Sequence, residues 1–219
     1  MKKSNNNDEK KLTEKIMKKS KDFDTTKFYY YSGPNFYLDR QAIVFNIYLD
    51  PKGPSATLYE KEILKIFPEY ELSKEDRVID VFAKTLSLTL KMEMNLLIGK
   101  FSITSDGEEF VIAIEYFDNY PTEDTVYLVA DLFKAITKEK IFDFKTEFKK
   151  LQEDFDNTIF GGPTIYSLFE GGLKKNIDVK FLENENQFQW GYGKKQVRGR
   201  STTFHVDSIK DTEFTTYKD

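Results

Sequence analysis

A short turn between two apolar runs is the feature that most restricts how this chain can fold. Asp106-Gly107 separates the runs 97–104 and 109–117. An Asp-Gly pair readily takes the positive φ angles that a two-residue hairpin turn requires. The sequence therefore predicts two neighbouring antiparallel strands near the middle of the chain.

Strand and helix patterns alternate on both sides of this hairpin. Residues 41–49 are rich in β-branched and aromatic side chains, as in a strand, and a turn rich in proline and glycine follows at 50–54. Apolar side chains recur at helical spacing in 56–66, 73–92 and 126–136. The order strand, helix, helix, strand, strand, helix predicts an α+β fold, in which helices cover one face of a mainly antiparallel sheet.

Two serines are predicted to begin the first two helices. Ser55 follows the turn directly and is a suitable N-cap residue. Ser73 stands three residues before Asp76, a spacing that resembles a capping box and would start the second helix at Ser73.

The last third of the chain has a different pattern. Residues 144–155 form a charged helical segment that we interpret as a connector. Gly161-Gly162-Pro163-Thr164 marks a break followed by a helix start, and Gly171-Gly172 is expected to interrupt or end that helix. Short strands are expected at 179–182, 188–190 and 201–206.

We therefore divide the chain into four parts. They are a basic flexible tail at 1–27, an N-terminal α+β accessory domain at 28–140, a connector helix at 141–161 and a final helix and strand segment at 162–219. Residues 1–21 carry eight lysines against three acidic residues. This part of the tail is either an anchor for a polyanion or a membrane surface, or a solvated leader, and the Asn5-Asn6-Asn7 run favours the leader.

Composition excludes several classes of site. The chain has no cysteine and one histidine, His205, which rules out disulfides, thiolate zinc sites, a cysteine nucleophile and multi-histidine metal sites. No apolar run reaches the ~20 residues that span a bilayer, so we expect no membrane association through a spanning helix and a cytoplasmic location. The net charge of −4 argues against bulk nucleic-acid binding.

The stretch 189–200 carries the most informative motif. Gly191 and Gly193 flank Tyr192 and allow a tight turn with positive φ. Arg198 and Arg200 are two residues apart, so on a strand they point the same way and could hold a carboxylate or a phosphate. The pattern alone is more typical of a plain β-turn with two surface arginines.

This motif and the helix start before it give the chain a family resemblance. Gly191-Tyr192-Gly193, Arg198 and then Arg200-Ser201-Thr202 resemble the segment that leads into the ATP-grasp domain of cyanophycin synthetases. Gly162-Pro163-Thr164 resembles a helix start of the same family. The resemblance covers residues 32–219, although Trp190 stands where the family has leucine.

The resemblance implies a function. Cyanophycin synthetases are ATP-dependent ligases that form amide bonds, and their N-terminal domain is an accessory module that binds the growing polymer. By this resemblance, the chain is the peptide-binding N-terminal portion of such a ligase, followed by the lead-in to its ATP-grasp domain. The residues that would bind an acceptor peptide or the growing polymer are Thr164, Ser167, Arg198 and Arg200. The family also allows a homo-oligomer.

The catalytic part of such a ligase is expected outside this chain. In the family, the groups that hold nucleotide and metal follow the position that Asp219 matches, and the sequence has no P-loop. ATP and Mg²⁺ are therefore implied for an ATP-grasp domain in cis or in trans, and we expect the chain alone to be non-catalytic. The alternative for Thr164 is an ordinary helix cap. The alternative for the whole chain is a stand-alone interaction module that serves a separately encoded ligase.

Other candidate sites are weaker. Some relatives carry His-x-x-Glu-His on the second helix, where this chain has Arg77, Asp80 and Val81, so a zinc hydrolase site of that kind is excluded. A hydrolase built around His205 lacks a partnered nucleophile. The aromatic run at 28–31 is expected to be an edge strand or the start of the core rather than a stacking platform for nucleic acid.

Overall fold

Two antiparallel sheets organise the part of the chain that this computed structural model describes. The described residues are 22–71, 73–94, 99–106, 109–116, 119–156, 163–182, 185 and 187–199. They form a mixed α+β structure with one sheet of four strands and one of three. The α+β class predicted from the sequence is confirmed for these residues.

The order of elements agrees with the predicted succession. From β2 to α3 the described chain runs strand, helix, helix, strand, strand, helix, and one further strand, β1, precedes this series. The elements are β1 (Tyr29–Tyr31), β2 (Ala42–Tyr48), α1 (Ala56–Ile66), α2 (Val78–Met94), β3 (Phe101–Asp106), β4 (Glu109–Glu115), α3 (Asn119–Thr137), α4 (Phe144–Asp156), α5 (Pro163–Lys174), β5 (Val179–Leu182), β6 (Gln187–Trp190) and β7 (Val197–Gly199).

The four-stranded sheet has the order β1-β2-β4-β3, and every neighbouring pair is antiparallel. β2 pairs with β4 along its whole length, from Ala42 opposite Glu115 to Tyr48 opposite Glu109. β3 and β4 form the predicted hairpin, in which Asp106 stands opposite Glu109. Residues 107 and 108, at the tip of that hairpin, lie outside the described part.

The side chains of β2 alternate between the two faces of this sheet. Ile43, Phe45 and Ile47 point to the face that the helices cover and are fully buried in the main core. Val44 points to the other face, where it packs with Leu38 from the loop between β1 and β2. Burying an apolar side chain of this size stabilises the fold by about 1.5–3 kcal/mol, so the alternation fixes which face the helices cover.

A cluster of four aromatic rings forms the centre of the main core. The ring of Phe133 stacks on Tyr59 at 5.0 Å between centroids, and it also contacts Phe23 and Phe82. The backbone N–H of Phe23 donates to the carbonyl of Tyr48 at 2.9 Å. Residues 22–27, which the sequence analysis assigns to a flexible tail, thus contribute a fully buried ring to the core. A single phenylalanine among polar residues gives no periodic pattern from which this burial could be predicted.

The second helix begins later than the sequence predicts. α2 starts at Val78 and not at Ser73, so the capping box proposed for Ser73 and Asp76 is wrong. The carboxylate of Asp80 accepts the backbone N–H of Arg77 at 2.8 Å and also binds the Arg77 guanidinium. Asp80 is therefore the acidic partner that caps this helix. The prediction for the first helix is closer, since Ser55 directly precedes α1, although its side chain makes no capping hydrogen bond.

One side chain organises the loop between β1 and β2. The amide nitrogen of Asn35 donates to the carbonyls of Gly33 and Arg40 at 3.0 and 2.7 Å. Its oxygen accepts the backbone N–H groups of Tyr37 and Leu38 at 2.9 and 3.0 Å. All the hydrogen-bonding capacity of the amide nitrogen is used within this loop. The bond to the Arg40 carbonyl holds the chain just before β2 begins.

The three-stranded sheet has the order β5-β6-β7 and packs against α5. The ring of Phe169 on α5 contacts Phe188 on β6 at 5.6 Å between centroids. The expectation that Gly171-Gly172 interrupts or ends this helix is wrong, because α5 continues through both glycines to Lys174. The predicted strands at 179–182 and 188–190 correspond to β5 and β6, whereas β7 was not predicted and the strand expected at 201–206 lies outside the described residues.

Helix α4 falls within the predicted connector at 141–161. Its residues Phe144 and Phe148 are buried in the main core, and Phe144 contacts the ring of Phe67 after α1. The division into an accessory domain and a final segment at 162–219 stays a prediction. Within the described residues, no helix combines the length and the apolar composition that crossing a bilayer requires.

Candidate functional site

The motif around Tyr192 forms the turn that leaves β6. Gly191 and Gly193 both have positive φ, of 70° and 66°, a region that glycine enters without steric cost. The backbone N–H of Gly191 donates to the carbonyl of Asp178 at 2.7 Å. A short 3-10 turn, Gly193–Lys195, then leads to β7. The turn formed by the two glycines thus determines where β7 begins and, with it, the position of Arg198.

The ring of Tyr192 lies close to the loop after β1 and to Lys180 of β5. A Cβ atom built on Gly33 would be 3.4 Å from Cε1 of this ring, and Nζ of Lys180 lies 5.8 Å from the ring centroid. Burial raises the pKa of Tyr192 to about 12, and the charge of Asp178 acts in the same direction. The phenol therefore stays protonated at neutral pH and keeps its hydrogen as a donor.

Three polar side chains form a row across the second sheet. Lys180 stands opposite Gln189, and Gln189 stands opposite Arg198. Residues opposite each other in antiparallel strands project from the same face, so all three side chains share one face, and we call them the basic row. The other face is apolar and carries Val179 and Phe188 towards α5.

The middle residue of the basic row is fixed in place. Gln189 is only 3% exposed, and its Nε2 donates to the carbonyl of Gly191 at 2.9 Å. Lys180 and Arg198 flank it on the two outer strands. Strand spacing places their backbones about 10 Å apart. Both side chains are long, so their charged groups can come closer together than this and hold neighbouring carboxylates.

Arg198 has donor capacity that the described residues do not use. Its Nε is buried, and within the described part of the chain it has no hydrogen-bond partner. Nη1 lies 3.9 Å from Oε2 of Glu185, and this exposed pair is too long and too solvated to contribute much. A buried donor without a partner costs about 1–3 kcal/mol, a cost that an acceptor oxygen from a ligand would remove.

An ion-pair cluster lies where the first sheet approaches Asp178. Nη1 of Arg40 is 3.1 Å from Oε1 of Glu115, which is 5% exposed. Hydrogen bonds from Arg40 and then from Lys100 lower the pKa of Asp39 to about 2. Burial raises the pKa of Asp178, while the charges of Arg40 and Lys100 oppose that shift. Asp178, directly before β5, is therefore within electrostatic reach of the first sheet.

The structure separates some of the predicted site residues. Ser167 lies on α5 and is exposed, and α5 packs on the apolar face of the second sheet. Arg198 projects from the opposite face, so Ser167 and Arg198 are not brought together. Thr164 is the second residue of α5, but its side chain lies outside the described part, as do Arg200 and His205.

Sequence reasoning missed Lys180 as a partner of Arg198. The two residues are far apart in the chain, and a single lysine in a short strand has no distinctive pattern. Only the pairing register of β5, β6 and β7 places them on one face. A predicted three-stranded meander could have suggested it, but β7 was not predicted.

Comparisons with known proteins do not assign the chain to a family. No family model matches the sequence, and no curated protein matches it. In the part of the chain that the structure describes, no group of three or more histidine, aspartate and glutamate side chains could hold a metal ion.

Proposed function

We propose that this chain is the peptide-binding N-terminal portion of an ATP-dependent, amide-bond-forming ligase of the cyanophycin synthetase type. The basic row binds carboxylates of an acceptor peptide or a growing polymer. An ATP-grasp domain, in cis or in trans, supplies ATP, Mg²⁺ and the ligation chemistry. The chain by itself binds and positions the peptide, and it does so in the cytoplasm, which its lack of cysteine suits.

The observation that carries this proposal is the unused donor of Arg198 within the basic row. A guanidinium is a planar fork that binds a carboxylate through two parallel hydrogen bonds. Nε is one of the two nitrogens of the fork edge, and it is the buried atom without a partner among the described residues. Because Nε is buried, the guanidinium must turn outward for a carboxylate to reach it. The carboxylate would then satisfy Nε and replace the weak contact with Glu185 by a close ion pair.

The spacing of the row favours an extended peptide over a single small anion. Side chains on one face of an extended peptide recur about every 7 Å. Lys180 and Arg198 start about 10 Å apart and are both long, so two carboxylates at this interval can be held at once. The side chain of Arg198 is 41% exposed, so a ligand can reach its outer part, whereas Gln189 in the middle of the row is buried.

Calorimetric titration of the purified 219-residue chain with an N-acetylated hexa-aspartate peptide tests this site. We expect binding that weakens with salt, and an approximately tenfold loss of affinity in Arg198→Gln. Lys180→Gln should lose a smaller factor, because an ammonium group binds one carboxylate without the fork geometry.

Lys174→Gln is the matched control for these variants. Lys174 lies at the end of α5 and pairs with Glu170 on the helix, so its replacement removes one positive charge from the same part of the chain but not from the basic row. Affinity in this variant should stay within about twofold of the unchanged chain. Equal losses in Lys174→Gln and Arg198→Gln would contradict a site at the basic row.

The division of labour between binding and catalysis is tested separately. The chain alone should release no phosphate from ATP in the presence of Mg²⁺, with or without the acidic peptide. Steady ATP turnover by the purified chain, retained after a further purification step, would contradict the assignment of catalysis to another domain.

A further inference from the structure

A cavity of about 340 Å³ lies at the opposite end of the first sheet from the Arg40–Glu115 pair. It opens to solvent and is lined by the turn after β2, the start of α2 and the first residues of β4. This volume is at the lower end of the range for small-ligand sites, about 300–1,000 Å³. The cavity shares no lining residue with the basic row, so it is independent of the proposed function.

The walls of the cavity are mainly apolar. Leu49 and Pro54 line it from the turn after β2, Val78 from the first turn of α2, and Phe110 from β4. Such a lining holds the hydrocarbon part of a ligand, while a few converging polar groups set its orientation.

Two acidic residues lie in the lining of this cavity, Asp22, which is half-buried, and Asp50, which is exposed. The backbone N–H of Asp50 donates to Oδ1 of Asp22 at 2.9 Å, and the N–H of Lys52 donates to Oδ1 of Asp50 at 2.9 Å. A carboxylate has about four acceptor positions, so both groups keep the capacity to accept further hydrogen bonds. The orientation of each carboxylate is fixed by the backbone before any ligand arrives.

The two carboxylates have no cationic partner within the described residues. The cation in the lining is Arg77, which is already held by both oxygens of Asp80 at 2.8 and 3.0 Å. Asp22 and Asp50 also line a neighbouring cavity together with Lys134 and Lys138, and the ammonium of Lys134 pairs with Asp24 at 3.1 Å. Burial raises the pKa of Asp22, and the charge of Asp50 contributes to that shift. The cavity thus has an acidic end, at which neither carboxylate forms a salt bridge with a described residue.

The backbone beside Asp22 is held in an unfavourable conformation. Phe23 has a φ of 61°, a region that bulky side chains rarely enter. Its ring is fixed by contacts with Tyr59, Phe82 and Phe133. The packing of this ring therefore maintains the unfavourable backbone conformation next to Asp22.

We propose that this cavity binds a primary ammonium or guanidinium group carried on an apolar chain. The cation sits between the carboxylates of Asp22 and Asp50, and the hydrocarbon part lies along Leu49, Pro54, Val78 and Phe110. The volume fits one small amine or one long basic side chain of a peptide.

The test is a titration of the ¹⁵N-labelled full chain followed by amide chemical shifts. Hexylammonium chloride is the probe, and hexanol and sodium hexanoate are its neutral and anionic counterparts of equal chain length. We expect hexylammonium to shift the amides of the turn after β2 and the start of α2, and to bind about tenfold more tightly than hexanol. Equal affinity for hexanol, or tighter binding of hexanoate, overturns the proposal.

Two substitutions assign the charge requirement. Asp22→Asn and Asp50→Asn each keep the Oδ1 acceptor of the local backbone hydrogen bond while removing the charge, and each should weaken hexylammonium binding about tenfold. Asp131→Asn removes an exposed carboxylate elsewhere and should leave the affinity unchanged. Unaltered affinity in both cavity variants overturns the proposal. If either variant unfolds, the comparison of hexylammonium with hexanol on the unchanged chain decides the question.

A further arm separates the two sources of such a cation. N-acetyl-lysine amide carries the same ammonium group on a peptide-like backbone. Tighter binding of this compound than of hexylammonium supports the proposal and identifies a peptide side chain as the ligand. Tighter binding of hexylammonium supports it and identifies a free amine.

Discussion

Gly172 and Val179 lie so close together that a Cβ atom on Gly172 would overlap the Cγ2 methyl group of Val179. The same added atom would lie 3.4 Å from Cδ1 of Trp190. The glycine thus lets α5 approach β5 and β6 at backbone distance. A Cβ atom added to the neighbouring Gly171 would meet no other atom within 4 Å. A side chain therefore fits at position 171 but not at position 172.

Gly172→Ala should destabilise the second sheet by about 1–3 kcal/mol, since the added methyl group forces α5 away from the strands. Gly171→Ala is the matched control and should be neutral or stabilising by up to ~1 kcal/mol, because alanine has the higher helix propensity. Trp190 is the only tryptophan of the chain and lies in β6, so urea unfolding followed by its fluorescence reports on this sheet. Equal midpoints for the two variants would contradict the close approach.

Phe133→Ala should cost about 3–5 kcal/mol of unfolding free energy, because it removes the ring that stacks on Tyr59 and leaves a cavity in the main core. Ile141→Ala removes a side chain that is fully exposed and should change stability by less than about 0.5 kcal/mol. Chemical denaturation followed by circular dichroism measures both. A cost below about 1 kcal/mol for Phe133→Ala would show that the aromatic cluster is not the centre of the core.

Arg40→Met should cost about 3 kcal/mol, because it leaves the Glu115 carboxylate buried without its cation. In the unchanged chain the backbone N–H of Lys100 donates to Oε2 of Glu115 at 3.2 Å, and Glu115→Gln keeps an oxygen that can accept this hydrogen bond. In the Glu115→Gln background, Arg40→Met should therefore cost less than half as much. A double-mutant cycle from urea unfolding measures this coupling, and strictly additive effects would show that the pair is not coupled.

Asp178→Asn should stabilise the fold at neutral pH more than at acidic pH. Burial raises the pKa of Asp178 above its usual 3.8, so the contribution of this carboxyl to stability is fully present below 3.8 and is lost as the pH rises through the folded-state value. Asparagine cannot ionise and avoids that loss. Unfolding free energies of the variant and the unchanged chain at about pH 4 and about pH 7 test the sign. Asp131→Asn serves as the control for the change in net charge.

The hairpin and the order of elements were predictable because the relevant signals are local. Asp106-Gly107 and the apolar alternation around it identify β3 and β4 without knowledge of the rest of the chain. The third helix is predicted at 126–136, whereas in the structure it begins at Asn119. Its first turns contain Pro121 and several polar residues, which do not give the apolar spacing of a helix. Proline is compatible with the first turn of a helix, which the apolar pattern alone does not reveal.

The remaining differences arise from contacts between distant parts of the chain. Gly171-Gly172 looked like a helix end because glycine has a poor helix propensity, yet packing against Val179 outweighs that preference. Phe23 is buried by rings from α1, α2 and α3. The pairing of Lys180 with Arg198 through Gln189 depends on the register of three strands, and neither residue's neighbours in sequence indicate it.

The contact between Gly33 and Tyr192 joins the loop before β2 to the turn that starts β7. At position 33 a methyl group would still fit against the Tyr192 ring, at 3.4 Å, but any larger side chain would push the ring outward. Arg198 is six residues beyond that ring, on the strand whose start the turn fixes. A substitution at Gly33, more than 150 residues earlier in the sequence, can therefore shift this turn and, with it, the position of Arg198.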